Sequence, residues 1–222
     1  MSLNPDQISK ILEPYTANAE SGSFDWPRIC DQLALYLDLL LKWNSRVNLT
    51  AIRSPEEIVR RHFGESIFAG LHLNCSTWNN SGPARTDTSL LDFGSGAGFP
   101  GLPIQILWPE LSVTLAEARQ KKASFLREVT RNLSLQTEIW ADRVEKMPAD
   151  RQFSVVTLRA VDEMNDAVLA AATRTREQLV ILGTQNSNYS ALAEQFSGPE
   201  LKAIPASDSG ALLVYCRISE LG

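Results

Sequence analysis

The sequence predicts an α/β protein: a mostly parallel sheet wound with helices, one antiparallel edge, and a helical N-terminal extension. Three observations carry this. From residue 89 onward short apolar runs ("SLLDF", "SVTLAE", "TEIWA", "FSVVTLR", "QLVILG") alternate with helical patterns such as "ARQKKASFLREVTRNLSL". Strand alternating with helix implies a parallel sheet covered on both faces. The last run, "LLVYCRI", follows a strand pattern near "LKAIP" after a short turn, so a hairpin closes the sheet with an antiparallel edge. Residues 1–73, by contrast, carry helical periodicity.

Taken in order, residues 3–13 fit a short helix. Residues 24–43 fit a longer one, because Leu33, Tyr36, Leu37, Leu40 and Leu41 fall at three- and four-residue steps. Asp25 suits its N-cap, and Pro27 sits in a first turn that tolerates proline. "NLTAIRSPEE" interrupts it. Ser54 as N-cap, Pro55 at N1 and Glu57 at N3 then start a third helix over 55–71. "NCSTWNNSGPARTDT", residues 74–88, is polar with Gly and Pro and reads as a linker or long loop. The expected division is 1–73, a helical extension; 74–88, a linker; and 89–222, the α/β domain.

The totals exclude several classes. At 222 residues and 44% apolar, the chain buries a core without disulfides or metal. Cys30, Cys75 and Cys216 are odd in number and far apart, which excludes a full disulfide framework and a Cys-x-x-Cys zinc site. Reduced thiols in a cytoplasmic protein are the expectation. With only His62 and His72 present, no His-based metal site is expected. The first residues are polar and acidic, unlike a signal peptide. "LALYLDLLLKW" is too short for a bilayer and is broken by Asp38, so no membrane role is expected. A net charge of −5 argues against coating nucleic acid through a general positive field, yet leaves room for a local basic face.

The first strand of the sheet runs into "DFGSGAGFPG", residues 92–101. Ligands of open parallel sheets bind outside the carboxyl ends of the strands. Glycines there allow positive φ and a close approach to backbone. Gly96, Gly98 and Gly101 match the dinucleotide fingerprint G-x-G-x-x-G. Two details count against that reading. The glycines begin earlier, as Asp92-x-Gly94-x-Gly96-x-Gly98. Pro100 and Pro103 also remove N–H groups where a phosphate-binding helix should start. A nucleoside without phosphates, such as S-adenosylmethionine, fits better, with its amino-acid end at the glycine backbone around Ser95. Glu117, about 20 residues on at the end of the second strand, suits ribose hydroxyls. Asp142, or Val144 and Glu145, would flank adenine.

The chain resembles the bacterial glucose-inhibited-division B family, over roughly residues 30–182. The likeness rests on "KWNSRVNLTAI", "RHFGES", "LLDFGSGAGFPGLP", "EARQKKASFL", "RVEK" and "LRAV", in the family's order. It implies a class I S-adenosylmethionine-dependent methyltransferase: a Rossmann-like seven-stranded sheet with a helical N-terminal extension. It implies methylation of guanine N7 in 16S ribosomal RNA. Cofactor contacts would fall at Gly94, Phe99, Val144, Glu145 and Arg159, and an RNA face near Asn48, Arg61, His62 and Lys121, with Lys122 beside it. Three positions depart from the pattern. Glu65 stands where the family usually has Asp, Gly183 where it tends to have Lys, and no Arg precedes the last strand.

Guanine N7 offers a lone pair and no proton, so such a reaction needs positioning more than acid–base groups. That agrees with a chain showing no Ser-His-Asp set. Phe99 is a candidate platform for a presented base, and Arg53, Arg60, Arg61, Lys121 and Lys122 are candidates for phosphates. Plainer readings stand beside these: Arg61 and Glu65, four apart, make a surface pair worth about 0.3–0.5 kcal/mol, and His62 packs in the core. Three other functions stay open on the residues alone: a same-fold methyltransferase with another substrate, a non-catalytic RNA- or ribosome-binding module, and a nicotinamide-dependent oxidoreductase. A monomer is expected.

Overall fold

Seven strands form the main sheet: β1 (Ser89–Phe93), β2 (Ser112–Ala116), β3 (Thr137–Trp140), β4 (Phe153–Arg159), β5 (Thr175–Thr184), β6 (Phe196–Ala203) and β7 (Gly210–Arg217). Their order is β3-β2-β1-β4-β5-β7-β6. The computed structural model describes residues 3–17, 19, 23–73, 78–79, 82–83, 88–160 and 164–218. The first five strands are parallel, and β7 lies antiparallel between β5 and β6. This is the mostly parallel sheet with an antiparallel edge that the apolar runs predict.

Successive residues of the central strands feed opposite faces. Leu90, Val155 and Val180 enter one core cluster, while Leu91, Val156 and Ile181 enter the other. Both faces are covered, which is why these strands read as unbroken apolar runs. The first cluster also takes α1 (Pro5–Thr16), α2 (Trp26–Asn44), α4 (Glu65–Leu71), α5 (Gly101–Leu107) and α6 (Gln120–Asn132), so the N-terminal helices share a core with the sheet. The second takes α7 (Met164–Arg174).

Caps set the helix starts. Asn4 and Gln7 form a reciprocal capping box at α1, and the Asp25 carboxylate accepts from Arg28 N. Buried Tyr15 anchors the last turn of α1, which extends to Thr16 rather than ending near residue 13. The third helix covers the expected span but is not uniform. Short α3 (Pro55–Ile58) passes into a π-helical turn, Val59–Gly64, before α4. Such turns carry an extra residue per turn and collect at functional sites.

Polar stitches tie the N-terminal helices to the loops of the sheet. Arg28 Nη2 donates to the Ile106 carbonyl at 3.0 Å, Gln32 Nε2 to Leu133 O at 3.2 Å, and Trp108 Nε1 to Gly70 O at 3.0 Å. Buried Tyr36 donates its hydroxyl to the Ala97 carbonyl, inside the glycine turn. The expected linker lies mostly outside the described residues, as does Cys75. Within it Trp78–Asn79 pairs antiparallel with Gly82–Pro83. Cys30 is a buried free thiol and Cys216 an exposed one. Among the described residues no helix is long and apolar enough to cross a membrane.

Candidate active site

A cavity of about 610 Å3 opens at the carboxyl edge of the parallel strands. Gly94, Ser95, Gly96 and Phe99 line it after β1, Glu117 and Arg119 after β2, Asp142 to Glu145 after β3, and Arg159 and Ala160 at and just past the end of β4. Leu49, Thr50 and His62 close one wall from the N-terminal part. Among the described residues no group of three His, Cys, Asp or Glu side chains could hold a metal ion.

The glycine turn has an open face and a packed back. Gly94 and Gly96 take φ of 72° and 59°. A Cβ at Gly96 would meet nothing closer than 3.9 Å, so ligand atoms can approach the backbone there. Gly98, at φ 97°, is the reverse case: its Cβ would lie 2.5 Å from Leu102 Cδ1 and 2.6 Å from the Tyr36 hydroxyl. Asp92 holds the turn from below. Its Oδ1 accepts from Thr157 Oγ1 at 3.0 Å and its Oδ2 from Gly101 N at 3.1 Å, while its carbonyl accepts from Ser95 Oγ at 2.9 Å. Burial pushes its carboxyl up to about 6 against these hydrogen bonds. Asp92 and Gly98, expected as contacts, do not line the cavity; one braces the turn and the other packs it against α2.

Buried Glu117 faces the turn. Its Oε2 accepts from Gly96 N at 3.0 Å and its Oε1 from Arg119 N at 2.7 Å. Strand register sets this position, since Phe93 pairs with Ala116 on one side and with Leu158 on the other. Glu117, Gly94 and Arg159 therefore follow in a row along the edge.

The far wall is an aromatic stack. His62 stacks on Phe99 with centroids 4.6 Å apart, and Tyr36 stacks on Phe99 at 5.5 Å. Phe63 also packs on that ring, so Phe99 is buried and cannot serve as the platform for a base; His62 stands on the cavity side of the stack. His62 Nε2 lies 2.8 Å from Thr50 Oγ1, and its Nδ1 is buried without a partner. Burial, then the charges of Arg159 and Arg61, drive the imidazole pKa down to about 3. His62 is neutral at physiological pH.

Buried Asn44 builds the Thr50 side. Its Oδ1 accepts from Leu49 N and Thr50 N at 2.9 and 3.1 Å, and its Nδ2 donates to Thr50 O at 3.0 Å. Asn44→Ala removes three well-formed bonds and leaves buried backbone groups unpaired, so a stability loss of about 2–3 kcal/mol is expected in urea unfolding. An unchanged midpoint would show that the loop holds itself.

The chain matches the rRNA small subunit methyltransferase G family, GidB, over residues 29–203. It belongs to that family. It is 35% identical over 204 residues to ribosomal RNA small subunit methyltransferase G of Chloroflexus aggregans, covering 85% of this chain and 82% of that one. The match to its counterpart in Nitrosomonas europaea is 38% over 143 residues, covering 64% of this chain and 61% of the relative, under two thirds of its length. Among solved structures, a tRNA methyltransferase of Aquifex aeolicus superposes with a TM-score of 0.51 at 15% identity, over 70% of this chain and 68% of that one. The fold is that of the class I S-adenosylmethionine-dependent methyltransferases.

The family's cofactor fits the residues present. The Gly96 face is open, Glu117 offers a buried carboxylate beside it, and Arg159 Nη1 is a buried donor without a partner. Of the positions expected to meet cofactor, Gly94, Ser95, Gly96, Phe99, Glu117, Val144, Glu145 and Arg159 line the cavity. Of those expected at RNA, His62 and Lys122 line it, whereas Asn48, Arg61 and Lys121 are exposed outside it. Asn48 accepts from Arg53 Nη2 at 3.2 Å. The Arg61–Glu65 pair is not a surface pair: the Glu65 side chain is only 8% exposed. Sequence reading missed Thr50, Arg119, Arg143, Ala160 and Asp166. A signal existed for Arg119, two residues past Glu117. None existed for Ala160, whose φ of 45° is a left-handed twist that costs a residue with a Cβ about 1–2 kcal/mol.

Proposed function

We propose that this protein transfers a methyl group from S-adenosylmethionine to N7 of a guanine in 16S ribosomal RNA, acting as a cytoplasmic monomer on the RNA or the small ribosomal subunit. The observation that carries the reading is the row of groups along the carboxyl edge. Asp142 to Glu145 suit adenine, Glu117 suits ribose hydroxyls, and the open face of Gly96 suits the amino-acid end. Family membership supports the substrate.

When bound, the cofactor supplies an electrophilic methyl group on a positively charged sulfur. The chain's own residues bind, orient and exclude water. N7 brings a lone pair and no proton, so no side chain here has to act as a base. His62 adds a negative requirement. An imidazolium beside the target would offer N7 a proton and occupy its lone pair. Burial keeps His62 neutral and removes that competitor. Lys122, on the cavity rim, and Arg61, outside it, supply cations for flanking phosphates.

The test is methyl incorporation from labelled S-adenosylmethionine into purified 16S ribosomal RNA and into small subunits, followed by cleavage mapping of 7-methylguanine. One methylated guanine in either substrate is the expected result, lost in Gly96→Trp. Label at another base position, or none, would reject the reading.

A further inference from the structure

Arg159 ends β4 and lies next to the glycine turn, because Phe93 and Leu158 are paired and Gly94 and Arg159 come next along the chain. Its guanidinium is held on one side only. Nη2 lies 2.8 Å from Glu65 Oε2 and donates at 2.8 Å to the Arg61 carbonyl. Nη1 is buried and has no partner. The other carboxylate oxygen of Glu65 accepts from Arg61 Nε at 3.1 Å. Glu65 thus joins a buried guanidinium at the cavity to one that is about half exposed at 51%.

A buried guanidinium with an empty donor is costly unless an anion completes it. The position along the edge says which anion. The acids Glu117, Asp142 and Glu145 gather toward β2 and β3, where a nucleoside presents hydroxyls and an amine, and Asp166, on α7 after β4, is left for the ammonium of the amino-acid tail. Arg159 stands at the opposite end, past the glycine turn, where the amino-acid tail would lie.

We infer that Glu65 is a positioning residue. It fixes Arg159 through Nη2 so that Nη1 is left to bind the carboxylate of the cofactor's amino-acid end. The inference rests on the cofactor reading above and extends it to a residue outside the lining of the cavity. Glu65 acts through geometry: a planar guanidinium pinned at two points presents its remaining N–H groups in one direction.

The experiment compares two ligands that differ only at that end. S-adenosylhomocysteine carries the amino acid, and 5′-methylthioadenosine does not. Calorimetric titration of the full chain is run for wild type, Glu65→Gln and Glu65→Asp. In Glu65→Gln, affinity for S-adenosylhomocysteine should fall about 10- to 100-fold, the worth of a charged hydrogen bond, with affinity for methylthioadenosine unchanged. Glu65→Asp keeps the charge but withdraws it by one methylene, so its loss should be intermediate. It also carries the comparison if the Gln variant does not fold. Equal losses for both ligands would make Glu65 merely structural and overturn the inference. So would an unchanged affinity for S-adenosylhomocysteine with weakened RNA binding, which would assign Nη1 to a phosphate. A wild type that binds neither ligand would instead reject the cofactor reading itself.

Discussion

Gly98→Ala is expected to destabilise the protein by about 2–6 kcal/mol. Roughly 1–3 kcal/mol comes from forcing a Cβ residue to φ 97° and about 1–3 kcal/mol from overpacking against Leu102 and Tyr36. Gly96→Ala is the informative contrast. Its φ of 59° costs about 1–2 kcal/mol, but its Cβ enters open space on the ligand side. Urea unfolding and cofactor titration on both variants separate the two roles. Gly98→Ala should lose stability most, and Gly96→Ala should lose affinity out of proportion to stability. The reverse ranking would mean that the turn's two faces are misassigned.

The two glycines also mark how far the sequence could be read. The motif D-x-G-x-G-x-G located the turn, and the apolar run before it located the strand. Nothing in the spacing said which glycine faces ligand and which faces Tyr36, because that depends on α2, about 60 residues earlier in the chain. The same limit applies to Glu65. Four residues after Arg61 on a helical pattern, it reads as a surface acid. Its burial follows from the docking of the N-terminal helices onto the β4 edge, a long-range contact with no local signature. Strands, their order of appearance and the antiparallel edge were legible because burial on both faces writes itself as apolar runs. Ala160 and Asp166 reach the cavity only through the path of the chain after β4.

Lowering the pH should produce a two-step loss of stability with a flat stretch between. His62 has its pKa depressed from 6.5 to about 3 in the fold, so the unfolded chain takes up that proton first. Its contribution is fully present above pH 6.5 and is lost as pH falls toward 3. At about 1.36 kcal/mol per pH unit this amounts to about 5 kcal/mol. Asp92 has the opposite sign. Its pKa is raised from 3.8 to about 6, so its burial costs about 3 kcal/mol above pH 6, and that cost is relieved as pH falls from 6 to 4. Between about pH 6 and 4 the two nearly cancel; below pH 4 the His62 loss continues, joined by a loss of the same sign from carboxylates held low in the fold, such as Glu138 beside Arg151. His72, also depressed by burial, adds a smaller loss of the same sign as His62. Urea unfolding at half-unit intervals of pH tests this. In His62→Gln the loss should shrink to the smaller part carried by the other groups, and stability should rise from pH 6 to 4 as Asp92 takes up its proton. A His62→Gln profile parallel to wild type would show that the imidazole is not held neutral.

The π-helical turn at Val59–Gly64 amounts to a phase shift written into a rod. Ile58 before it and Ile67 after it would face opposite sides of an unbroken α-helix, yet both are fully buried, because the turn absorbs the phase difference. The wider turn takes up one residue more than an α-helical turn, so the residues beyond it keep the face that an α-helix one residue shorter would give them. Deleting one residue of the turn should therefore let the rod heal into a regular α-helix with Glu65 still facing Arg159. The same deletion in an unbroken helix would rotate everything beyond it by about 100°. For comparisons across relatives, a gap of one residue in this stretch marks a healed helix and leaves the pocket's wiring in place.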